Sequence, residues 1–291
     1  MKRLSQLTVA VLLLLISGLL FSCKSESGQQ TTGYSGQPGD FLSWTGSSDA
    51  NHSFMLVRVN GKTGAVITVG GTDFFPAMAY APDGTLYGIS DELHVIDPAT
   101  GSTVKIGTFL DGASSILMHG ATFSPDGTLY VVENAMPSRV FSVNLSTAAL
   151  TYIGTPTALI WDLEFAADGT LYAAYADLFT LNATTMTTLT TKGRMGHYVN
   201  PLTSDSAGTL FGMDIYPSTT ISSLSPTTGS SSPIVATGSS GLNSLVVEES
   251  SAATSASVFH KAAAVHGLSS PRPLEDLLKN EGAIKAMRST N

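Results

Sequence analysis

The chain has 291 residues, a formal net charge of −8, 12% charged residues and one cysteine. Between residues 25 and 251, acidic residues outnumber basic ones severalfold, which argues against nucleic acid as a partner. A single cysteine excludes an internal disulfide, and the lack of a C-x-x-C-H sequence excludes attachment of a c-type haem.

The N-terminus has the features of an export signal. Two basic residues precede an apolar run at residues 7–20, which is shorter than a comfortable membrane span. The run ends in "LFSC", which resembles the lipobox of bacterial lipoproteins, in which a small residue precedes the cysteine that becomes lipidated. The resemblance implies a signal peptide at residues 1–22, lipidation of Cys23 and a membrane-anchored location in the bacterial cell envelope. An ordinary signal peptide and a retained helix are the alternatives.

A polar segment follows the cysteine. Residues 23–40 are rich in Gly, Ser and Gln, which predicts a flexible tether between the lipid and a folded domain. The remaining length could form one large all-β domain or two ordinary ones.

Internal repeats decide between these. Four segments align on their turns, "PAMAYAPDGTLYGIS", "HGATFSPDGTLYVVE", "WDLEFAADGTLYAAY" and "NPLTSDSAGTLFGMD", and their glycines recur about every 40 residues. Each segment is followed by two short β-branched runs, such as "ELHVIDPATG" and "STVKIGT". This repeat length, with short strands separated by turn residues, is typical of propeller blades with four antiparallel strands.

The ends of the array predict how the ring closes. "FLSWTG" and "SFMLVRVNGKTGAVITVGG" match the second, third and fourth strands of a blade, whereas "GLNSLVVEES" matches only a first strand. The sequence therefore predicts an all-β, five-bladed β-propeller at residues 41–250, in which the C-terminal first strand completes the N-terminal blade and hides free sheet edges.

The "PDGTLY" and "IDPATG" stretches resemble the repeats of bacterial secreted propellers, relatives of the wider WD-repeat-like and quinoprotein-like group. The resemblance implies the fold but no particular activity. The "PDG" letters themselves satisfy the needs of a tight turn, because Pro sets φ, Asp bonds its own backbone and Gly accepts a positive φ. A calcium ring of Asp83, Asp126 and Asp168 is disfavoured, because the repeat separates these carboxylates around the ring.

We expect the binding site at the opposite end of the central channel, where the innermost strands begin. Two aligned rings of residues should form a funnel there, since they differ from blade to blade as a specific site would. The first ring is Pro76, His119, Trp161, Asn200 and Asn243; the second is Ala77, Gly120, Asp162, Pro201 and Ser244. Loop residues predicted near its rim are Asp91, Glu92, Glu133, Asn134, Asp177, Asp214 and Tyr216.

Several of these residues have two interpretations. Trp161 is either an apolar plug between blades or an aromatic platform for a ring. His119 is either hydrogen-bonded to a neighbouring strand or a metal ligand, which would require further ligands beside it. Asp162 and Glu164 lie two residues apart on one strand and face the same side, so either a raised pKa or a bound cation or water must relieve their repulsion. Calcium or another divalent cation in the channel would have Asp162 as its first ligand.

Three functions remain open from the sequence. The first is a monomeric, non-catalytic module that binds an envelope protein or a glycan at the channel mouth, with contacts from His119, Trp161, Asp162, Asn200, Asn243, Glu133 and Asp214. The second is a metal-dependent hydrolase or lactonase, which a resemblance to gluconolactonase-type propellers would imply, with a metal at Asp162, Asn200, Asn243 and Glu133. The third is a structural envelope protein whose funnel binds nothing.

The C-terminal residues 251–291 lack the blade pattern and have a small basic excess. After Pro273 the pattern "LEDLLKNEGAIKAM" favours a short amphipathic helix. A loosely held tail is the alternative, because an isolated helix of this length is marginal in water.

Overall fold

The computed structural model describes residues 36–46, 54–195, 199–214, 219–239 and 241–249, and all of them lie in one unit, Gly33–Asn291. Regular structure in these residues is entirely β. The strands are β1 (Phe41–Gly46), β2 (Phe54–Val59), β3 (Val66–Thr72), β4 (Ala77–Tyr80), β5 (Leu86–Ile89), β6 (Glu92–Ile96), β7 (Thr103–Thr108), β8 (Leu110–Asp111), β9 (Ser114–Ser115), β10 (Met118–Phe123), β11 (Leu129–Glu133), β12 (Val140–Val143), β13 (Leu150–Gly154), β14 (Asp162–Phe165), β15 (Leu171–Ala174), β16 (Asp177–Leu181), β17 (Thr188–Arg194), β18 (Val199–Ser204), β19 (Leu210–Asp214), β20 (Thr220–Leu224), β21 (Ser231–Ala236) and β22 (Leu242–Val247).

These strands form five antiparallel four-stranded sheets, which we number as blades. Blade 1 has the order β22-β1-β2-β3, and blades 2 to 5 are β4 to β7, β10 to β13, β14 to β17 and β18 to β21. The five-bladed propeller predicted from the repeats is confirmed. The first strand of each blade lies innermost, so β4, β10, β14, β18 and β22 surround the central channel.

Blade 1 closes the ring from both ends of the described chain. β22 pairs with β1 in antiparallel register, Phe41 opposite Val247. A buried ion pair reinforces the closure: Arg58 donates from Nε to Glu248 at 2.5 Å and from Nη2 to the second Glu248 oxygen at 3.0 Å. Arg58 Nη2 also donates to the carbonyl of Pro98, which ties blade 1 to blade 2. The predicted completion of the first blade is thus present, and the Arg58–Glu248 ion pair stabilises it.

A buried apolar cluster lies between each pair of neighbouring blades. Between blades 2 and 3, for example, Tyr87, Ile89 and Leu93 pack against Phe123 and Leu129. The alternation of side chains along each strand explains this, because one set faces the preceding blade and the other faces the next. The second strands are buried on both faces, as the apolar "LY" positions after each turn predict.

The Asp-Gly turns of blades 2, 3 and 4 have the side-chain hydrogen bonds and the positive φ at glycine that their residues predict. The Asp83 carboxylate accepts the backbone N–H of Thr85 at 2.9 Å, and Gly84 has a φ of 86°. Asp126 and Asp168 accept the equivalent bonds from Thr128 and Thr170. These aspartates stabilise their own turns, in agreement with the structural interpretation of the motif.

One element was not predicted: the β8–β9 hairpin between blades 2 and 3. It has two residues in each strand, all of them exposed, so it lacks the alternating pattern from which strands are predicted. Within the described residues, no helix is long and apolar enough to cross a membrane. The predicted signal peptide, Cys23, most of the tether and the tail helix lie outside the described residues.

Candidate functional site

The second predicted ring is a buried layer across the channel. Ala77, Asp162 and Ser244 are only 4–6% exposed, and Gly120 and Pro201 are buried as well. None of these five residues lines either of the two cavities described below. The layer therefore separates the channel into two ends, and we call them the aromatic end, where the innermost strands begin, and the turn end, where the "PDG" turns lie.

Asp162 is the centre of that buried layer. Its carboxylate accepts backbone N–H bonds from Ala121 in blade 3 at 3.1 Å, from Leu163 in its own strand at 2.8 Å and from Leu202 in blade 5 at 2.8 Å. Burial raises its pKa well above the ordinary value, against the effect of these donors. A Cβ at Gly120 would lie 2.7 Å from Asp162 Oδ1, so glycine there makes room for the carboxylate. Asp162 therefore holds three consecutive blades together at the axis.

Glu164 lies one layer closer to the turn end and bridges the same three blades. Its Oε2 accepts the hydroxyl of Thr122 in blade 3 at 2.8 Å, and its Oε1 accepts the N–H and hydroxyl of Ser204 in blade 5 at 2.9 and 2.7 Å. Burial raises the pKa of Glu164 to about 7, although these three donors act in the opposite direction. Burial and the neighbouring Glu164 raise the pKa of Asp162 too, which is one of the outcomes expected for two carboxyl groups on one side of a strand.

The aromatic end has a pocket of about 270 Å³ that contains two of the predicted contact residues. Trp161 packs between His119, at a ring distance of 4.8 Å, and Tyr175, on which it stacks at 5.9 Å and 29°. The pocket is lined by His119, Asn134, Ala135, Met136, Ser138, Leu159, Ile160 and Trp161. Met136 is 71% exposed at its rim. The pocket thus offers an aromatic wall, an apolar rim and a few polar groups.

His119 is neutral at neutral pH. Burial lowers its pKa to about 4, and a hydrogen bond between its ring and the backbone of Trp161 acts in the opposite direction. Its Nδ1 is buried with no hydrogen-bond partner among the described residues. An unpaired Nδ1 distinguishes this neutral imidazole from an ordinary satisfied core histidine, although the atom itself is shielded from solvent.

The other predicted contacts do not join this pocket. Glu133 is held in a bidentate ion pair with Arg139, at 2.6 and 2.8 Å. Asn243 donates its side-chain N–H to the carbonyl of Gly241 at 2.9 Å. Asp214 is half-buried at the end of β19. Asn200 belongs to β18, but the structure does not describe its side chain. Tyr216 lies outside the described residues. Of the predicted contact residues whose side chains are described, His119 and Trp161 lie together in this pocket.

The larger cavity, about 620 Å³, lies at the turn end, where no site was predicted. Its wall is largely apolar, with Met78, Phe123 and Phe165, and its polar lining includes Glu164 and the hydroxyls of Thr122, Thr203 and Ser204. Asp83, Asp205 and Glu249 lie at its rim. The sequence did contain a signal for Glu164, because it is the charged member of an aligned ring with Ala79, Thr122, Thr203 and Val246.

The arrangement at Asp162 bears on the predicted cation. Both of its oxygens already accept backbone hydrogen bonds. Within the described part of the chain, no group of three or more His, Cys, Asp or Glu side chains is arranged to hold a metal ion. The divalent-cation site at Asp162 stays a prediction.

Five four-stranded blades closed into a ring define a five-bladed β-propeller. Residues 56–215, more than half of the chain, match the family model described as "Repeat of unknown function (DUF6923)". The chain belongs to this repeat family. No curated protein matches it.

Among solved structures, the chain is similar to several propellers. A gluconolactonase from Xanthomonas campestris is 12% identical, with 65% of this chain and 74% of that chain covered at a TM-score of 0.47. The PQQ-bound aldose sugar dehydrogenase of Streptomyces coelicolor is 14% identical, with 66% and 75% covered at 0.43. A protein of unknown function from Bacteroides caccae is 11% identical, with 73% and 100% covered at 0.47. Overlaps of this size identify no shared activity.

Proposed function

We propose that this protein is an exported, lipid-anchored and non-catalytic binding module of the bacterial cell envelope, which holds a glycan at the aromatic end of its propeller. The observation that carries the proposal is the stack of His119, Trp161 and Tyr175 beside a pocket of about 270 Å³. The pocket is just below the usual range of ~300–1,000 Å³ for drug-sized ligands, so it suits a single ring.

A sugar ring matches the chemistry of this pocket. One face of a pyranose carries C–H groups that pack on an aromatic plane, and its hydroxyls pair with polar groups at the edge. Trp161 is half-buried, and the part of its surface that His119 and Tyr175 leave uncovered would pack on the sugar ring. Asn134 would supply a polar partner, and the Ser138 hydroxyl, which donates to the carbonyl of Ala135, would act only as an acceptor. The neutral state of His119 favours an uncharged ligand, because no fixed charge is available to attract an ion.

A binding function is favoured over metal-dependent hydrolysis by the surroundings of the predicted metal ligands. Asp162 is used by three backbone N–H groups, and Glu133 is used by Arg139. Asn243 contacts the backbone of Gly241. The carboxylate oxygens of Asp162 and Glu133 are thus already engaged by the protein, whereas Asn243 uses its side-chain N–H and not its oxygen.

The test is titration of the full chain with a panel of soluble mono- and oligosaccharides, followed by tryptophan fluorescence and calorimetry. Trp44 is buried between blades 1 and 2 and gives a constant background, so a change reports on Trp161. We expect saturable binding that Trp161→Ala weakens by up to about tenfold, because packing on an aromatic ring contributes roughly 0.5–1.5 kcal/mol beyond area burial. Tyr152→Ala is the matched control, since Tyr152 is an exposed aromatic outside the pocket.

Equal binding by wild type and Trp161→Ala would contradict the proposal. Capture of an envelope protein through Trp161, without binding of any saccharide, would replace the glycan by a protein partner.

The anchoring part of the proposal has its own experiment. In the native bacterial host, a clickable fatty acid should label the wild-type protein, and Cys23→Ala should abolish the label and release the protein from membranes. If Cys23→Ala is still exported but no longer sediments with membranes, lipidation of Cys23 is supported. An unlabelled wild type would indicate an ordinary signal peptide.

A further inference from the structure

The turn end of the channel contains a second cavity that the proposed glycan site does not use. It is more than twice as large as the aromatic pocket, at about 620 Å³ against 270 Å³. The buried layer around Asp162 lies between the two, so a ligand in one cavity does not touch the other.

The charge of this cavity has one sign. Among the described residues that line it are four acidic ones, Asp83, Glu164, Asp205 and Glu249, and none is Lys, Arg or His. A cleft lined by one sign of charge within low-dielectric walls concentrates counter-ions. Anionic ligands are therefore disfavoured here, and cationic ligands are favoured.

Glu164 differs from the three rim carboxylates because it lies inside the cavity. Its oxygens accept three hydrogen bonds, from Thr122 and Ser204, whereas a carboxylate offers about four acceptor positions. One acceptor position on Oε2 therefore remains for a ligand. The rim carboxylates are exposed or half-buried, and Glu249 is engaged by Ser206.

The rest of the wall defines the body of the ligand. Met78, Phe123, Phe165, Leu202 and Val246 contribute apolar surface to the cavity. Sites of this size bind a largely apolar body and use a few polar groups to orient it. A bare metal ion would require several converging oxygens, and the Glu164 oxygens are mostly occupied.

We propose that the turn-end cavity binds a small organic amine, whose ammonium group pairs with the Glu164 carboxylate and whose apolar body packs on the surrounding Met, Phe, Leu and Val side chains. This site goes beyond the glycan function and does not depend on it. It assigns a ligand class to the face on which sequence reasoning placed only structural turns.

Three probes of one shape test the class: 2-phenylethylamine, the neutral 2-phenylethanol and the anionic phenylacetate. Binding to the full chain is measured by calorimetry and by ligand-observed NMR. We expect the amine to bind at least about tenfold more tightly than the alcohol, and phenylacetate to bind more weakly still, because a charged hydrogen bond in a desolvated site is worth about that factor.

Glu164→Gln should weaken amine binding at least about tenfold and leave the alcohol unchanged, so that the preference for the amine disappears. Asp126→Asn is the matched control, because Asp126 lies on a neighbouring turn but not in the cavity wall. Should Glu164→Gln fold poorly, the exposed rim variant Glu249→Gln provides a second readout, with a few-fold loss of amine affinity that salt abolishes.

The two proposed sites can be disproved independently of each other. Trp161→Ala should leave amine binding intact, and Glu164→Gln should leave saccharide binding intact. Equal affinity for amine and alcohol, an unaltered amine affinity in Glu164→Gln, or no amine binding at millimolar concentrations would overturn the amine site without affecting the glycan site.

Discussion

The two ends of the channel carry ionisable groups that burial shifts in opposite directions. At the aromatic end, burial lowers the pKa of His119 to about 4. At the turn end, burial raises the pKa of Glu164 to about 7. The physical cause is the same, because a low-dielectric surrounding disfavours the charged form of either group. One end therefore presents a neutral imidazole among aromatic rings, and the other presents a carboxyl that becomes charged near neutral pH.

Asp162 keeps the two ends apart, and its removal should have the largest effect. Asp162→Ala leaves three backbone N–H groups from three blades without their acceptor. We expect the free energy of unfolding to fall by about 3 kcal/mol, since each unpaired buried donor costs roughly 1–3 kcal/mol and some recover partners. Urea denaturation measures this loss.

Asp168→Ala is the control for that experiment. Asp168 belongs to the same blade, is exposed and bonds only its own turn. Its replacement should cost less than about 1 kcal/mol. Similar costs for both variants would show that the buried layer does not hold the blades together.

The second prediction concerns Glu164 and pH. Its pKa is about 7 in the folded state and near 4.5 in the unfolded chain, so between these values the folded state binds the extra proton. The contribution of Glu164 to stability is therefore most favourable below pH 4.5 and declines as the pH rises to 7. The full decline would be about 3 kcal/mol, and partial exposure reduces it to about 2 kcal/mol.

Urea denaturation of wild type and Glu164→Gln at several pH values between 4.5 and 7.5 isolates this contribution. The variant should gain stability relative to wild type as the pH rises. A difference between the two that does not change with pH would contradict the raised pKa.

The smallest expected effect comes from His119 and has the opposite sign. Its pKa is about 4 when folded and near 6.5 when unfolded, so between these values the unfolded chain binds the extra proton. The contribution of His119 is present above pH 6.5 and is lost as the pH falls to 4, by about 1–2 kcal/mol after allowance for its exposure.

His119→Asn removes the titrating group and should therefore lose less stability than wild type when the pH falls from 6.5 to 4. The same denaturation series measures it. If His119→Asn and Glu164→Gln changed the pH dependence in the same direction, the contrast between the two channel ends would be wrong.

Local patterns predicted much of this molecule. The turns "PDG", "ADG" and "SAG" predicted the first two strands of the four aligned repeats, and the unpaired "GLNSLVVEES" segment predicted the closure by β22. Such features depend on residues close together in sequence or on a simple repeat. The adjacency of His119 and Trp161 also followed from the alignment, since equivalent positions of neighbouring blades meet around the axis.

The location of the larger cavity was not predicted, although its wall positions were visible in the alignment. In one ring, Asp162 and its three backbone donors are part of a buried layer. In the next ring, the small Ala79 and the bonded Thr122 leave space around Glu164. Whether a ring is filled depends on the summed volume of five side chains that come from five distant parts of the chain.

The sequence by itself determined the class of fold, the number of blades and the way the ring closes, because turn chemistry, strand alternation and a repeat of about 40 residues are local properties. Tertiary structure alone decided which end of the channel holds the larger cavity and which carboxyl groups are buried. These depend on how side chains from all five blades fill one shared axis, and on the loss of solvent around Asp162 and Glu164 that results.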